Sequence, residues 1–145
     1  KYDEYLNNLR RCHDVNIIYR DDSPRKILRA LKSGTVVGIV ADQDVDSVEG
    51  VFINFLGRKA YTPAGPAVLA RATGAPLVPV VMIREGRLHR LIVNEPIELA
   101  DTGNKEADIV TITQRWSDVL ESYIRKYPDQ WVWMHRRWKT KEEKS

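Results

Sequence analysis

Four carboxylates fall within eight positions of this chain: Asp42, Asp44, Asp46 and Glu49, in "ADQDVDSVEG". They follow directly on an apolar run, "TVVGIVA" (35–41). Alternating aspartates before a glycine faintly resemble a calcium loop, but the glycine and the last acid stand at the wrong positions. A carboxylate that orients a reacting group is a second use of such residues. A solvated loop whose acids cap turns is the third. Position makes Asp42 and Asp44 site candidates on a par with the capping reading, because ligands of α/β domains bind beyond the carboxyl ends of buried strands.

Two further groups carry charge suited to chemistry. "FLGRKAYTP" sets Arg58 and Lys59 just before an expected helix start at Thr62–Pro63, where an anion can be held. It has neither the dinucleotide glycine pattern nor the P-loop lysine. "YPDQWVWMHRRWKT" mingles Trp131, Trp133 and Trp138 with His135, Arg136, Arg137 and Lys139. Aromatics beside cations suit single-stranded nucleic acid, a membrane surface, or a charged lipid or cofactor. They also suit a packed segment in which Trp131 and Trp133 lie on a sheet and the cations face water. His13, His89 and His135 are scattered, so no pair stands at metal-ligand spacing. No serine sits in a nucleophile elbow, and Cys12, on an amphipathic helix face, reads as core.

The elements that must position these groups are legible in the apolar spacing. Tyr2, Tyr5, Leu6, Leu9 and Cys12 lie on one helical face. A short strand, 15–19, follows. "DSPRKILRALKSG" reads as a helix capped by Ser23, with Pro24 in its first turn and Gly34 at its end. Residues 35–41 read as a strand buried on both faces. "TPAGPAVLARATG" reads as a helix, "APLVPVVMI" as a second buried strand, and "LHRLIVNEPIEL" as an antiparallel return after "EGR". Ile109, Ile112, Trp116, Val119, Leu120, Tyr123, Ile124 and Tyr127 form one helical seam that Pro128 stops. The expected fold class is α/β, with a mostly parallel central sheet flanked by helices.

Composition bounds the rest. The chain has 145 residues, 43% hydrophobic and 30% charged, enough for one core. Its longest apolar run, Leu77 to Ile83, is too short to span a bilayer. One cysteine excludes an internal disulfide and fits a reducing compartment. The net charge is +3, and residues 135–145 carry all of it, five Lys/Arg against two Glu. A local anionic partner therefore fits better than a long nucleic-acid footprint.

Three stretches, "GTVVGIVADQDV", "EGVFINFLGRKAYTPAGPAVLARATGAPLVPV" and "YPDQWVWMHRRWKT", in this order, resemble the bacterial lipid A biosynthesis acyltransferases. These late lauroyl- and myristoyl-transferases belong to the wider glycerolipid acyltransferase superfamily. The resemblance covers most of residues 26–140, and the last stretch is its most specific part. It implies transfer of an acyl chain from an acyl carrier protein or CoA thioester to a hydroxyl of an anionic glycolipid. Implied substrate-binding residues are Asp42, Asp44, Arg58, Lys59, Arg136 and Arg137. It also implies work at the cytoplasmic face of the bacterial inner membrane, no cofactor, and no nucleic-acid partner. Alternatives are another lipid acceptor (a phosphatidylinositol mannoside or an amine-linked lipid), or a non-catalytic module for acyl carrier protein or anionic membrane.

One departure matters. The family uses a His-x-x-x-x-Asp/Glu motif. Here the fifth position after His13 is Ile18, after His89 Asn94, and after His135 Thr140. No catalytic residue is therefore assigned. The expectation is that residues 1–145 form the C-terminal part of one acyltransferase domain, truncated at the N-terminus. Its motif and membrane anchor would lie upstream, and the piece would be inactive alone and prone to self-association through uncovered apolar surface.

Overall fold

The computed structural model describes residues 2–19 and 24–142. Ser23, the expected cap, and the end of the polar tail, 143–145, lie outside them. The fold is mixed α/β, and the chain divides into two compact units, residues 1–37 and 38–145.

The first unit holds α1 (Tyr2–Arg11) and α2 (Pro24–Lys32). The apolar side of α1 leaves Tyr5, Leu6 and Leu9 exposed, and Cys12 is exposed rather than core. Asn7 ties this unit locally, donating to the Tyr19 hydroxyl at 2.9 Å and accepting from Arg10 at 2.9 Å. Ile27, Leu28 and Leu31 of α2 are half-buried, and α2 ends at Gly34 in a left-handed conformation (φ 81°).

The second unit holds β1 (Gly50–Phe55), β2 (Arg58–Pro63), α3 (Gly65–Thr73), β3 (Val80–Glu85), β4 (Leu88–Val93) and α4 (Lys105–Lys126). The strands make two antiparallel pairs, β1 with β2 and β3 with β4. The antiparallel β3–β4 pairing is the one expected from sequence, but β3 begins only at Val80 and is not buried, with Val80 and Met82 exposed. Residues 35–41 were expected as a doubly buried strand. They join no ladder among the described residues, and Val36 and Val40 are 94% and 86% exposed. An apolar run becomes a buried strand only where a neighbour pairs with its backbone, and none does so here.

Thr62 and Pro63 also depart from expectation. They close β2, opposite Val51 and Gly50, instead of opening α3. Gly50 is required at that crossing, since a Cβ there would stand 2.6 Å from the Thr62 carbonyl oxygen. Leu56 and Gly57 both have positive φ (51° and 78°), giving a tight two-residue turn between β1 and β2. The Leu56 amide is held by Glu121 at 2.6 Å.

Helix α4 follows its sequence pattern closely. Asn104 caps it, accepting from the Ala107 amide at 3.1 Å. Its seam packs in two places. Ile124 joins Ile53, Phe55 and Ala60, while Ile109 and Ile112 join Ala64 and Ala67 of the α3 region. Two glutamines then bind strand backbone. The Gln114 amide accepts from Asn54 N and donates to Asn54 O, each at 2.8 Å. Gln130 does the same at Arg84, at 2.8 and 3.1 Å.

Asp108, in the first turn of α4, is buried. It accepts from the Thr102 hydroxyl (2.8 Å) and amide (3.1 Å) and from Arg71 at 2.9 Å. Burial alone would raise its carboxyl, but the Thr102 bonds and the Arg71 charge outweigh that and hold it below the usual range. A carboxyl lowered in the fold contributes stability above its unfolded value and loses it as pH falls through the folded one. The thermal midpoint should therefore hold from neutral pH and fall below about pH 4. Asp108→Ala should lower the midpoint at neutral pH and flatten that acid limb. An unchanged acid limb in the variant would show that other carboxylates set it.

Candidate functional site

The acidic loop after residue 41, the β1–β2 hairpin and the tryptophan-rich segment after α4 meet in the second unit. Phe55, fully buried, is the hub. The rings of Trp131 and Trp138 both lie 6.2 Å from its own, centroid to centroid. The Arg137 guanidinium stands over its face at 4.8 Å.

Arg137 was expected at the surface. It is 1% exposed. Its fork donates to the Tyr61 carbonyl at 2.6 Å and to the Thr62 hydroxyl at 2.5 Å. Burial pushes its guanidinium below the ordinary value, while the nearby carboxylates of Asp44 and Asp42 pull the other way. An arginine starts high enough to remain charged regardless. The bond to Thr62 engages the hydroxyl that would otherwise be free to cap α3, while the ladder pairs Thr62 with Val51.

Asp44 is buried and clasps the end of the chain. It accepts from the Thr140 amide at 2.9 Å and the Thr140 hydroxyl at 2.7 Å. Asp46 pairs with Lys139 at 3.0 Å, and bonding to that ammonium holds its carboxyl below the usual range. Asp42 is different. It is half-buried, and its Oδ1 is buried with no hydrogen-bond partner among the described residues. Solvent does not reach that atom, so a ligand meets Asp42 only through the half-exposed remainder of its side chain.

The cations divide likewise. Arg58 is exposed and stacks on Trp138, 5.0 Å from its ring. Lys59 and Arg136 are exposed, with no ion pair among the described residues. Arg58 and Lys59 begin β2 and do not precede a helix, so no helix N-terminus adds to their charge. His135 is half-buried, its ring 6.5 Å from that of Trp131. Among the described residues, no three His, Cys, Asp or Glu side chains form a metal-binding group. No helix there is long and apolar enough to cross a membrane.

Of the six residues singled out from sequence, Asp44 and Arg137 are internal ties. Asp42, Arg58, Lys59 and Arg136 keep groups available to a ligand. Thr140, Tyr61 and Thr62 were missed. Asp44 and Thr140 are 96 positions apart, and no local spacing links them.

Residues 2–140 match the family model described as bacterial lipid A biosynthesis acyltransferase. The chain is 36% identical over 121 residues to the lipid A biosynthesis lauroyltransferase of Escherichia coli (strain K12), covering 81% of this chain and 38% of that protein. It is 26% identical over 143 residues to the myristoyltransferase of the same strain, covering 97% of this chain and 43% of that protein. It is 31% identical over 108 residues to a phosphatidylinositol mannoside acyltransferase of Mycobacterium tuberculosis (strain CDC 1551 / Oshkosh), covering 74% of this chain and 32% of that protein. The chain thus spans about two fifths or less of the length of these relatives.

Proposed function

This chain belongs to the bacterial lipid A biosynthesis acyltransferase family, and from that premise we propose that it is the C-terminal part of an enzyme acylating a membrane glycolipid. The donor is an acyl thioester on acyl carrier protein or CoA. The acceptor is a lipid A-type precursor, and the reaction runs at the cytoplasmic face of the inner membrane. An acceptor hydroxyl gives its proton to a base, and its oxygen attacks the thioester carbonyl. The C–S bond breaks, and the thiol leaves with a proton. The base is a histidine of a His-x-x-x-x-Asp/Glu motif, which these 145 residues do not contain.

The observation that carries the reading is the convergence of the acidic loop after residue 41, the β1–β2 hairpin and the tryptophan-rich segment in the second unit. That convergence leaves Asp42 Oδ1 without a bonding partner among the described residues, and the exposed cations Arg58, Lys59 and Arg136 on the same unit. In this assignment Asp42 accepts from the sugar, and the three cations meet acceptor phosphate or acidic donor protein. Asp44 and Arg137 hold the loop and the tail in place. The mostly parallel central sheet would form in the longer enzyme, with residues 35–41 as one of its strands. Those apolar residues, uncovered here, also favour self-association of the 145-residue chain. A phosphatidylinositol mannoside is the second acceptor to test, because the mycobacterial relative matches at similar identity.

Acyl transfer by the longer enzyme should fall on the order of tenfold or more in Asp42→Asn, with the melting temperature unchanged. The 145-residue chain alone should give no turnover, since loss of a general base removes ~10²–10⁴-fold. Full activity in Asp42→Asn would end the role given to that carboxylate. Transfer to the mannoside but not to the lipid A precursor would reassign the acceptor.

A further inference from the structure

We propose that Val132, Trp133 and Met134, with Arg136 beside them, form a membrane-contact knuckle that enters the interface of an anionic bilayer. Three consecutive apolar side chains project here, 59%, 54% and 92% exposed. Tight turns make them project: Trp133 N donates to Trp131 O at 2.9 Å and His135 N to Val132 O at 3.3 Å. Both flanks are fixed, Trp131 against Phe55 and Arg137 through Tyr61 and Thr62. The knuckle is therefore held in shape before any partner arrives, so little ordering is lost on contact.

Two details favour lipid over protein or solvent. The indole N–H of Trp133 is already satisfied internally, donating to the Pro128 carbonyl at 2.6 Å. Its ring can enter an apolar phase without abandoning a hydrogen bond to water. Arg136 is exposed and has no ion pair among the described residues, which suits a lipid phosphate. The charged side chains of residues 128–140 are Asp129, Arg136, Arg137 and Lys139; Arg137 is buried and Lys139 pairs with Asp46, so Arg136 is the cation of this segment left facing outward without an ion pair among the described residues. Tryptophan beside a free cation is the combination that bilayer interfaces favour.

The inference goes beyond the acyl-transfer reading and is read without any acyl transfer. The 145-residue chain should co-sediment with vesicles of phosphatidylglycerol and phosphatidylethanolamine, and far less with phosphatidylcholine. Trp133→Ser with Met134→Asp should weaken that binding on the order of tenfold. Arg136→Gln should weaken it roughly fivefold and reduce its salt dependence. Lipids brominated in their acyl chains should quench the wild-type fluorescence, and Trp133→Phe should lose most of that quenching while still binding. Undiminished sedimentation of the double variant, or undiminished quenching in Trp133→Phe, overturns the proposal. So does a double variant that dissociates a dimer by light scattering but binds vesicles as before, which would make the knuckle a contact between copies. Loss of acyl transfer in Asp42→Asn leaves this test untouched.

Discussion

Phe55→Ala is expected to destabilise the second unit by about 3–5 kcal/mol, the largest single-residue effect in the chain. The ring is fully buried and is shared by Trp131, Trp138 and the Arg137 guanidinium. Its removal strips contacts from β1, from the tail and from the seam of α4 at Ile124 together. Collapse to fill the space is resisted because Arg137 is anchored at Tyr61 and Thr62. Denaturant unfolding would measure it, and Phe55→Leu should recover much of the loss. A cost under about 1 kcal/mol would mean that the tail does not depend on this ring.

Arg137→Met should cost about 3 kcal/mol, which is on the order of 10 °C in melting temperature. Methionine replaces much of the volume, so the loss is mainly electrostatic. The Thr62 hydroxyl and the Tyr61 carbonyl lose charged donors, and Asp44 and Asp42 lose a compensating charge. Arg137→Lys should recover only part, because one ammonium cannot reproduce the fork. Arg136→Gln serves as the control and should leave the melting temperature within about 1 °C. If both variants melt alike, the internal role of Arg137 is wrong.

Helix α4 could be read from sequence because everything that makes it is local. Its apolar residues recur at steps of three and four, Asn104 caps its start, and Pro128 ends it. The β3–β4 hairpin was readable for the same reason, through its glycine turn. Thr62–Pro63 misled because a capping residue before a proline is a helix signal only when nothing else uses it. Here Arg137, 75 positions away, binds the threonine side chain. Arg136 and Arg137 are chemically identical neighbours, yet one is exposed and the other buried. Composition cannot separate them; the turns between Trp131 and Trp138 do. Residues 35–41 show the opposite failure. Their apolar character was read correctly, but burial needs a partner that the local sequence does not supply.

The two glutamine amides have a consequence for the open edges of the strand pairs. A two-stranded ladder leaves a backbone N–H and C=O pointing outward at alternate residues, which is a template for strand addition and aggregation. At Asn54 and at Arg84 that donor–acceptor pair is already occupied by a side chain imitating a peptide group. An extended segment arriving at either site finds its hydrogen-bonding register taken. Those two positions on β1 and β3 are thereby closed to edge-to-edge growth, which has no natural end.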